Sequence, residues 1–245
     1  IYQRYTDQVE PFSIDESWLD VTGSRALFGS GETIANAIRH AVREELGITI
    51  SVGVSFNKIF AKMGSDYKKP DATTIITREN YQQLLWPLPI SDLLFVGSAS
   101  RNALRELGIY TIGDLARAEP SLLTSRLGKI GAVLSAYARG EDESRVASTS
   151  DEPEEPKSVG NGMTFRRDLT GEDDIRIGVL YLADSVAARL RRHGLRCRTV
   201  AVTIKDPRFK TVSKQKILPR STDLARTIAE AALELIRSCW SPSAP

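Results

Sequence analysis

Two adjacent acids open the chemistry of this chain. Ser13-Ile14-Asp15-Glu16 is followed by Trp18-Leu19-Asp20-Val21-Thr22-Gly23, a strand-like stretch. Neighbouring carboxylates beside a β-stretch repel each other, and strand alternation turns one toward an adjoining face. A divalent cation held between them removes the repulsion. Oxygen donors with no His or Cys nearby favour Mg²⁺ over zinc. The plain alternative for an Asp-Glu pair is a solvated surface.

A second group lies downstream, in Ser51-Val52-Gly53-Val54-Ser55-Phe56-Asn57-Lys58, Ala61-Lys62 and Lys68-Lys69-Pro70. A buried strand runs into a helix, and a lysine follows it. Such a lysine can reach a phosphate placed near Asp15 and Glu16, and its plain alternative is a solvated side chain. A third group is basic. Net charge is only +2, yet residues 157–245 carry 17 Lys and Arg against 9 Asp and Glu. Such an excess is the footprint of a phosphate-backbone binder, though a solvated charged surface has the same composition. Lys210, Lys214 and Lys216 share parity on one strand and project from one face. Arg166 and Arg167 end an earlier strand-like stretch. Leu127-Gly128-Lys129-Ile130-Gly131 fits a helix-hairpin-helix turn, whose backbone N–H groups and Lys129 can meet a DNA phosphate, the plain alternative being two ordinary helix caps. Phe95-Val96-Gly97-Ser98-Ala99 fits that turn less well, because Ala99 replaces its second glycine.

These groups need elements to hold them. Strands are expected at Gln8–Ser13, Glu16–Val21, Thr49–Val54 and Thr73–Ile76. Ile34, Ala35, Ile38, Ala41, Val42 and Leu46 recur at helical spacing, and Gly47 stops the helix. A second helix is expected to begin after Ser55, with Ser55 as cap, and to run from Asn57 to Asp66. Short helices are expected at Ala99–Leu107, Ile112–Arg117, Pro120–Arg126 and Ile130–Arg139. Further on, strands near Ser158–Phe165, Arg198–Lys205 and Lys210–Leu218 alternate with helices near Asp173–Arg192 and Asp223–Ser238. Ser-Pro-Ser-Ala-Pro then ends the last helix abruptly. Residues 141–156 are acidic and Pro-containing, which predicts an extended tether. Two prolines at Trp86-Pro87-Leu88-Pro89 mark a softer boundary. No apolar run approaches the ~20 residues of a membrane span. The two cysteines, Cys197 and Cys239, are expected as free thiols in a reducing cytoplasm. His40 and His193 lie in helical patterns without a second ligand.

The first two groups in this order resemble the Y-family DNA polymerases. SIDESWLDVTG and SVGVSFNKIFAKMGSDYKKPDATTII match that family's palm. LLFVGSASRNALRELGIYTIGDLA and LTSRLGKIGAVLSAYARGED match its thumb. KSVGNGMTFRRDL, RLRRHGLRCRTVAVTIKD and KTVSKQKIL match its little finger. The resemblance implies an α+β fold. Residues 1–86 would be a partial palm with a ferredoxin-like mixed sheet, and 87–140 a small all-helical thumb. Residues 141–156 would be a linker, and 157–245 a β-α-β-β-α little finger without its last strand. It implies error-prone, lesion-bypass DNA synthesis on primer–template DNA with dNTP and two Mg²⁺ ions, in the cytoplasm. Asp15 would bridge the ions, Glu16 would hold the one at the primer hydroxyl, and Lys69 would touch the triphosphate. Asp20 lies outside that ligand pattern and is read as structural. Lys129, Arg166, Arg167, Lys210, Lys214 and Lys216 would meet DNA. The family's third carboxylate, its fingers and its clamp-binding tail have no counterpart here, and the chain does not open with Met. The isolated chain is therefore expected to bind metal weakly and not to polymerise, with any sliding-clamp contact belonging to a longer protein. The alternative is a non-catalytic DNA-binding protein with a degenerate palm.

Overall fold

The computed structural model describes residues 1–148, 151 and 155–240. The chain divides into two compact units, Ile1–Glu152 and Pro153–Pro245. Both mix helices with small sheets, so the fold is α+β.

In the first unit β1 (Val9–Pro11) and β2 (Ser17–Leu19) pair antiparallel, with Pro11 opposite Ser17. A short helix α1 (Arg25–Phe28) leads into α2 (Gly31–Leu46). The Ser30 side chain caps α2 by accepting from the Thr33 N–H. Ile34, Ile38 and Val42 bury one stripe four residues apart. Gly47 closes α2 in the left-handed region, its N–H bonding the Arg43 carbonyl. The parallel pair β3 (Val52–Val54) and β4 (Thr73–Ile75) is joined by α3 (Lys58–Tyr67). The expected mixed sheet is thus one antiparallel pair and one parallel pair. Among the described residues no strand joins them.

The cap of α3 is Asn57, not Ser55. The Asn57 side chain accepts from the Phe60 N–H at 2.8 Å. The Ser55 hydroxyl is occupied elsewhere, donating to the Ile76 carbonyl at 2.9 Å. A further short helix, α4 (Tyr81–Leu85), was not anticipated from the pattern. Then come α5 (Ser98–Glu106), α6 (Ile112–Arg117), α7 (Pro120–Leu127) and α8 (Lys129–Ala138). Packing runs through Trp86–Pro89 without a gap. Ile59, Phe60 and Met63 of α3 share one buried cluster with Leu104, Ile112, Leu115, Leu123 and Leu134. The Trp86 indole N–H donates to the Ala138 carbonyl at 3.1 Å.

Past α8 the described residues of 141–156 form no helix or strand, while 149–150 and 152–154 lie outside the described residues. The start of this acidic stretch is tied down rather than loose. The Asn57 amide donates to the Gly140 carbonyl at 2.9 Å, and the Ala147 N–H donates to Glu10 Oε2 at 2.8 Å.

In the second unit α9 (Gly171–Arg192) and α10 (Ala225–Arg237) pack with the antiparallel pair β5 (Cys197–Lys205) and β6 (Thr211–Thr222). Ala183, Ala187, Leu190, Val200, Leu218, Ile228 and Leu235 form the core between them. The strand expected at Ser158–Phe165 does not form. Gly160 and Gly162 interrupt it, and its partners lie on α9. Arg189 Nη1 donates to the Gly160 carbonyl at 2.6 Å, and the Asn161 amide to Ser185 Oγ at 2.9 Å. The Phe165 ring rests on Gly178, where a Cβ would come within 2.8 Å of it. The abrupt stop expected at residues 241–245 lies outside the described residues. Cys197 and Cys239 are both free thiols. Among the described residues no helix is long and apolar enough to cross a membrane.

Candidate active site and nucleic-acid interface

The β1–β2 hairpin presents the acid pair at its tip. Phe12 and Ser13 N–H groups both donate to the Glu16 carbonyl, at 2.8 and 3.2 Å, which closes the turn. The Ser13 hydroxyl then lies 2.9 Å from Asp15 Oδ1 and 3.3 Å from Glu16 Oε2. One hydroxyl carries one hydrogen, so the two carboxylates converge on a single donor that cannot fully satisfy both. Asp15 is exposed and Glu16 half-buried.

Helix α3 supplies the counter-charge. Ile59, Phe60 and Met63 hold its apolar face in the core. Lys58, Lys62 and Asp66 follow at four-residue spacing on another face, as helical geometry requires. Lys62 Nζ lies 2.9 Å from Glu16 Oε1 and also bonds Asp66. Asp66 Oδ1 in turn lies 2.8 Å from Lys69 Nζ. The order Glu16–Lys62–Asp66–Lys69 is therefore an unbroken chain of alternating charge. It runs from the acid pair to the lysine singled out for phosphate. The Lys62 side chain is only 13% exposed. Burial works against its charge, but the Asp66 and Glu16 carboxylates hold it protonated above the usual lysine range. Burial likewise opposes the Asp66 charge, and Lys62 and Lys69 overcome it, holding that carboxyl below the usual range.

The loop carrying Lys69 is anchored beyond it too. Arg39 of α2 bonds Asp71 Oδ1 at 2.7 Å and Thr73 Oγ1 at 3.1 Å. Nearby, Lys58 Nζ reaches Glu10 Oε2 at 2.5 Å and lies 5.1 Å over the Trp18 ring, whose N–H bonds the Lys58 carbonyl at 3.0 Å. Asp20 takes a structural place, accepting from the Thr22 N–H at 2.8 Å.

Glu10 gives a pH-dependent handle. Burial raises its pKa, but the Lys58 ammonium and the Ala147 N–H more than offset this and hold the carboxyl below the ordinary glutamate range. Its contribution to stability is therefore complete above the unfolded-state value and is lost as pH falls through the lower folded value. Wild-type protein should show a steeper fall in unfolding temperature on acidification through that window than Glu10→Gln. Parallel curves for the two would rule out Glu10 as an acid-sensitive tie.

Lys58 and Lys62 stand in the second sequence group without an assigned role, and Asp66 and Glu10 stand outside the groups read for chemistry. The four-residue spacing of Lys58, Lys62 and Asp66, opposite a buried apolar stripe, was the signal available for three of them.

The basic residues are distributed less simply. Lys129 is exposed at the first turn of α8, after Gly128, whose φ is 66°. At this turn α7 and α8 touch closely, and a Cβ on Gly131 would sit 2.4 Å from the Leu123 carbonyl oxygen. Arg166 is exposed, while Arg167 grips both oxygens of Asp174, at 2.5 and 3.0 Å. Lys214 and Lys216 do share a face, since they stand opposite Val202 and Val200. That face is the one turned to α10. Lys214 Nζ bonds the Ser238 carbonyl at 2.9 Å, and Lys216 pairs with Glu234. Lys210 lies just outside β6, exposed in the hairpin turn. The opposite face of the sheet is open and carries Thr199, Ala201, Thr203 and Lys205 against Ile217, Gln215, Ser213 and Thr211.

Comparison with known proteins gives the family. The impB/mucB/samB family matches residues 1–66, and its C-terminal domain matches residues 156–245. DNA polymerase IV of Acetivibrio thermocellus is 47% identical over 242 residues, covering 98% of this chain and 60% of that protein. DNA polymerase IV of Moorella thermoacetica is 41% identical over 240 residues, with the same coverage of 98% and 60%. Among solved structures, a Y-family DNA polymerase chimera of Dbh and Dpo4 superposes with a TM-score of 0.79 at 25% identity. The match covers 96% of this chain and 67% of that one. The chain belongs to the Y-family of DNA polymerases. It spans about 60% of the length of these two curated relatives. A Dbh ternary complex matches more loosely, with a TM-score of 0.54 at 25% identity over 96% of this chain and 68% of that one.

For a Y-family chain the implied metal is a hard divalent cation. Asp15 and Glu16 fit it as two oxygen ligands, because they already converge on one shared donor. Among the described residues no third Asp, Glu, His or Cys completes a cluster with them.

Proposed function

We propose that the protein containing this chain is a template-directed DNA polymerase of the lesion-bypass type, acting in the cytoplasm on primer–template DNA and dNTP with Mg²⁺. The observation that carries this is the charge chain from the converging acids at the hairpin tip to Lys69, in a chain of this family. Residues 1–86 act as palm, 87–140 as thumb, 141–156 as linker and 157–245 as little finger. A sliding clamp would engage the longer protein.

Asp15 and Glu16 would hold Mg²⁺, which when bound would supply neutralisation of the charge that develops during nucleotidyl transfer. Ser13 orients both carboxylates through its hydroxyl. Lys62 keeps Glu16 from swinging away and balances its charge before the cation arrives. Lys69 exchanges its contact with Asp66 for the triphosphate, and Asp66 stays compensated by Lys62. Charge held in place before reaction is the main source of catalysis in chemistry of this kind.

The second unit supplies duplex grip. Hydroxyls and cations that meet the phosphate backbone carry no sequence information, which suits an enzyme accepting any template. Lys210 and Arg166, with exposed head groups, serve this better than Lys214, Lys216 and Arg167, which already hold intramolecular partners. Fluorescence anisotropy of labelled primer–template against salt tests this. Lys210→Ala should lower the slope of log affinity against log salt by about one unit. Lys216→Ala should lower it by less than about half a unit, because its ammonium is held by Glu234. The reverse ranking would contradict the assignment, and salt-independent binding would remove the duplex-grip reading altogether.

A further inference from the structure

The turn joining β5 to β6 carries an arrangement that duplex grip does not explain. The Phe209 N–H bonds the Asp206 carbonyl at 2.9 Å, and the Asp206 N–H bonds the Lys210 carbonyl at 2.9 Å. Asp206 Oδ1 accepts from the Lys210 N–H at 2.8 Å, so this acid is occupied in shaping the turn. Phe209 has φ of 63°, a region where Gly and Asn are at ease and a bulky residue is strained. The residue is nevertheless 76% exposed. Strain and an unburied aromatic ring are two unfavourable features at one residue, and such outliers point to function. The ring does not stand alone. Lys205 Nζ lies 4.4 Å from its centroid, covering one face. Arg208 and Lys210 are its exposed neighbours in sequence.

We propose that Phe209 is a stacking residue for an unpaired base of single-stranded nucleic acid, with Lys205, Arg208 and Lys210 meeting the adjoining phosphates. A π-face opposite a covering cation, beside further cations, is the composition of a sequence-tolerant single-strand platform. In a polymerase it would hold template or displaced strand outside the duplex, so the inference rests on the nucleic-acid reading above and extends it. A duplex hides the faces of its bases, so this contact is specific to unpaired strands.

The test uses the full 245-residue chain, with anisotropy of a labelled oligothymidylate of about 16 nucleotides and of a blunt duplex of similar length. Phe209→Ala should weaken oligothymidylate binding about tenfold and leave duplex binding within about twofold, with the salt slope unchanged. Phe209→Tyr should bind as wild type. Phe209→Leu should fail as Phe209→Ala does, because it keeps apolar bulk without a ring. Retained oligothymidylate binding by Phe209→Leu would show that no ring stacking is needed at the tip and overturn the proposal. Equal losses on both nucleic acids, or none, would also overturn it. Wild-type binding to duplex alone would sink this inference and spare the polymerase reading, whereas binding to neither would remove both.

Discussion

Asp15→Ala, placed in a full-length Y-family protein built around this chain, should reduce nucleotide incorporation by on the order of 10³-fold or more while primer–template affinity stays within about twofold. The size follows from what the carboxylate is asked to do. Phosphoryl transfer concentrates negative charge on the attacking and leaving oxygens, and the carboxylate would hold a divalent cation whose charge would offset it. Among the described residues Asp15 and Glu16 are the two acids that converge on the Ser13 hydroxyl. Removing Asp15 leaves Glu16, which is already paired with Lys62. A lone carboxylate with a lysine against it is a poor cation site. DNA affinity should survive because Asp15 is an exposed tip residue whose described side-chain partner is Ser13. Single-turnover incorporation and equilibrium anisotropy on the same preparations separate the two effects. Incorporation within about tenfold of wild type would take Asp15 out of the site, and a matched fall in DNA affinity would make its role structural.

Much of this arrangement could be read from residue order, and the limits have physical causes. The acid pair and the strand after it were legible because chemistry and pattern lie within ten residues, and a hairpin closes locally. Helix α2 was legible because Ile34, Ile38 and Val42 mark one face and Gly47 ends it. Parity correctly put Lys214 and Lys216 on one side of β6. It could not tell which side α10 covers, since that depends on where Val200 and Leu218 find their core. The stretch 158–165 reads as a strand in sequence and forms none. Strand pairing needs a neighbour, and its hydrogen-bond partners lie on α9 instead. The bridge from Glu16 to Lys69 was missed for a related reason. Lys62 and Glu16 stand 46 positions apart in the chain, and no local pattern announces their contact. The helical spacing of Lys62 from Asp66 was visible, but not that Glu16 would meet them.

The geometry that brings Lys62 to Glu16 depends on a glycine, and Gly53→Ala should show it. Gly53 is the middle residue of β3, and α3 crosses directly over it. A Cβ there would lie 1.8 Å from the Ala61 carbonyl oxygen, 2.5 Å from the Ser65 nitrogen and 2.8 Å from the Gly64 carbonyl carbon. All three are backbone atoms, so no rotamer change relieves the clash. Either α3 lifts off the strand or β3 gives up its register with β4. Overpacking where a side chain can adjust costs about 1–3 kcal/mol, and a backbone collision should exceed that range, at about 3 kcal/mol or more. For a unit of this size that corresponds to a fall in unfolding temperature of at least roughly 6–12 °C. Gly64→Ala is the informative contrast. Its Cβ would meet the Gly53 Cα at 3.0 Å and the flexible Ile76 Cδ1 at 3.3 Å, while alanine gains helix propensity of about 1 kcal/mol. Its loss should be much the smaller of the two. Calorimetry on the whole chain can assign the change, because the second unit has its own core and its transition should not move. A Gly53→Ala protein that melts within about 2 °C of wild type would mean that α3 does not lie on β3 as described. The placement of Lys58, Lys62 and Asp66 toward the hairpin would then fall with it.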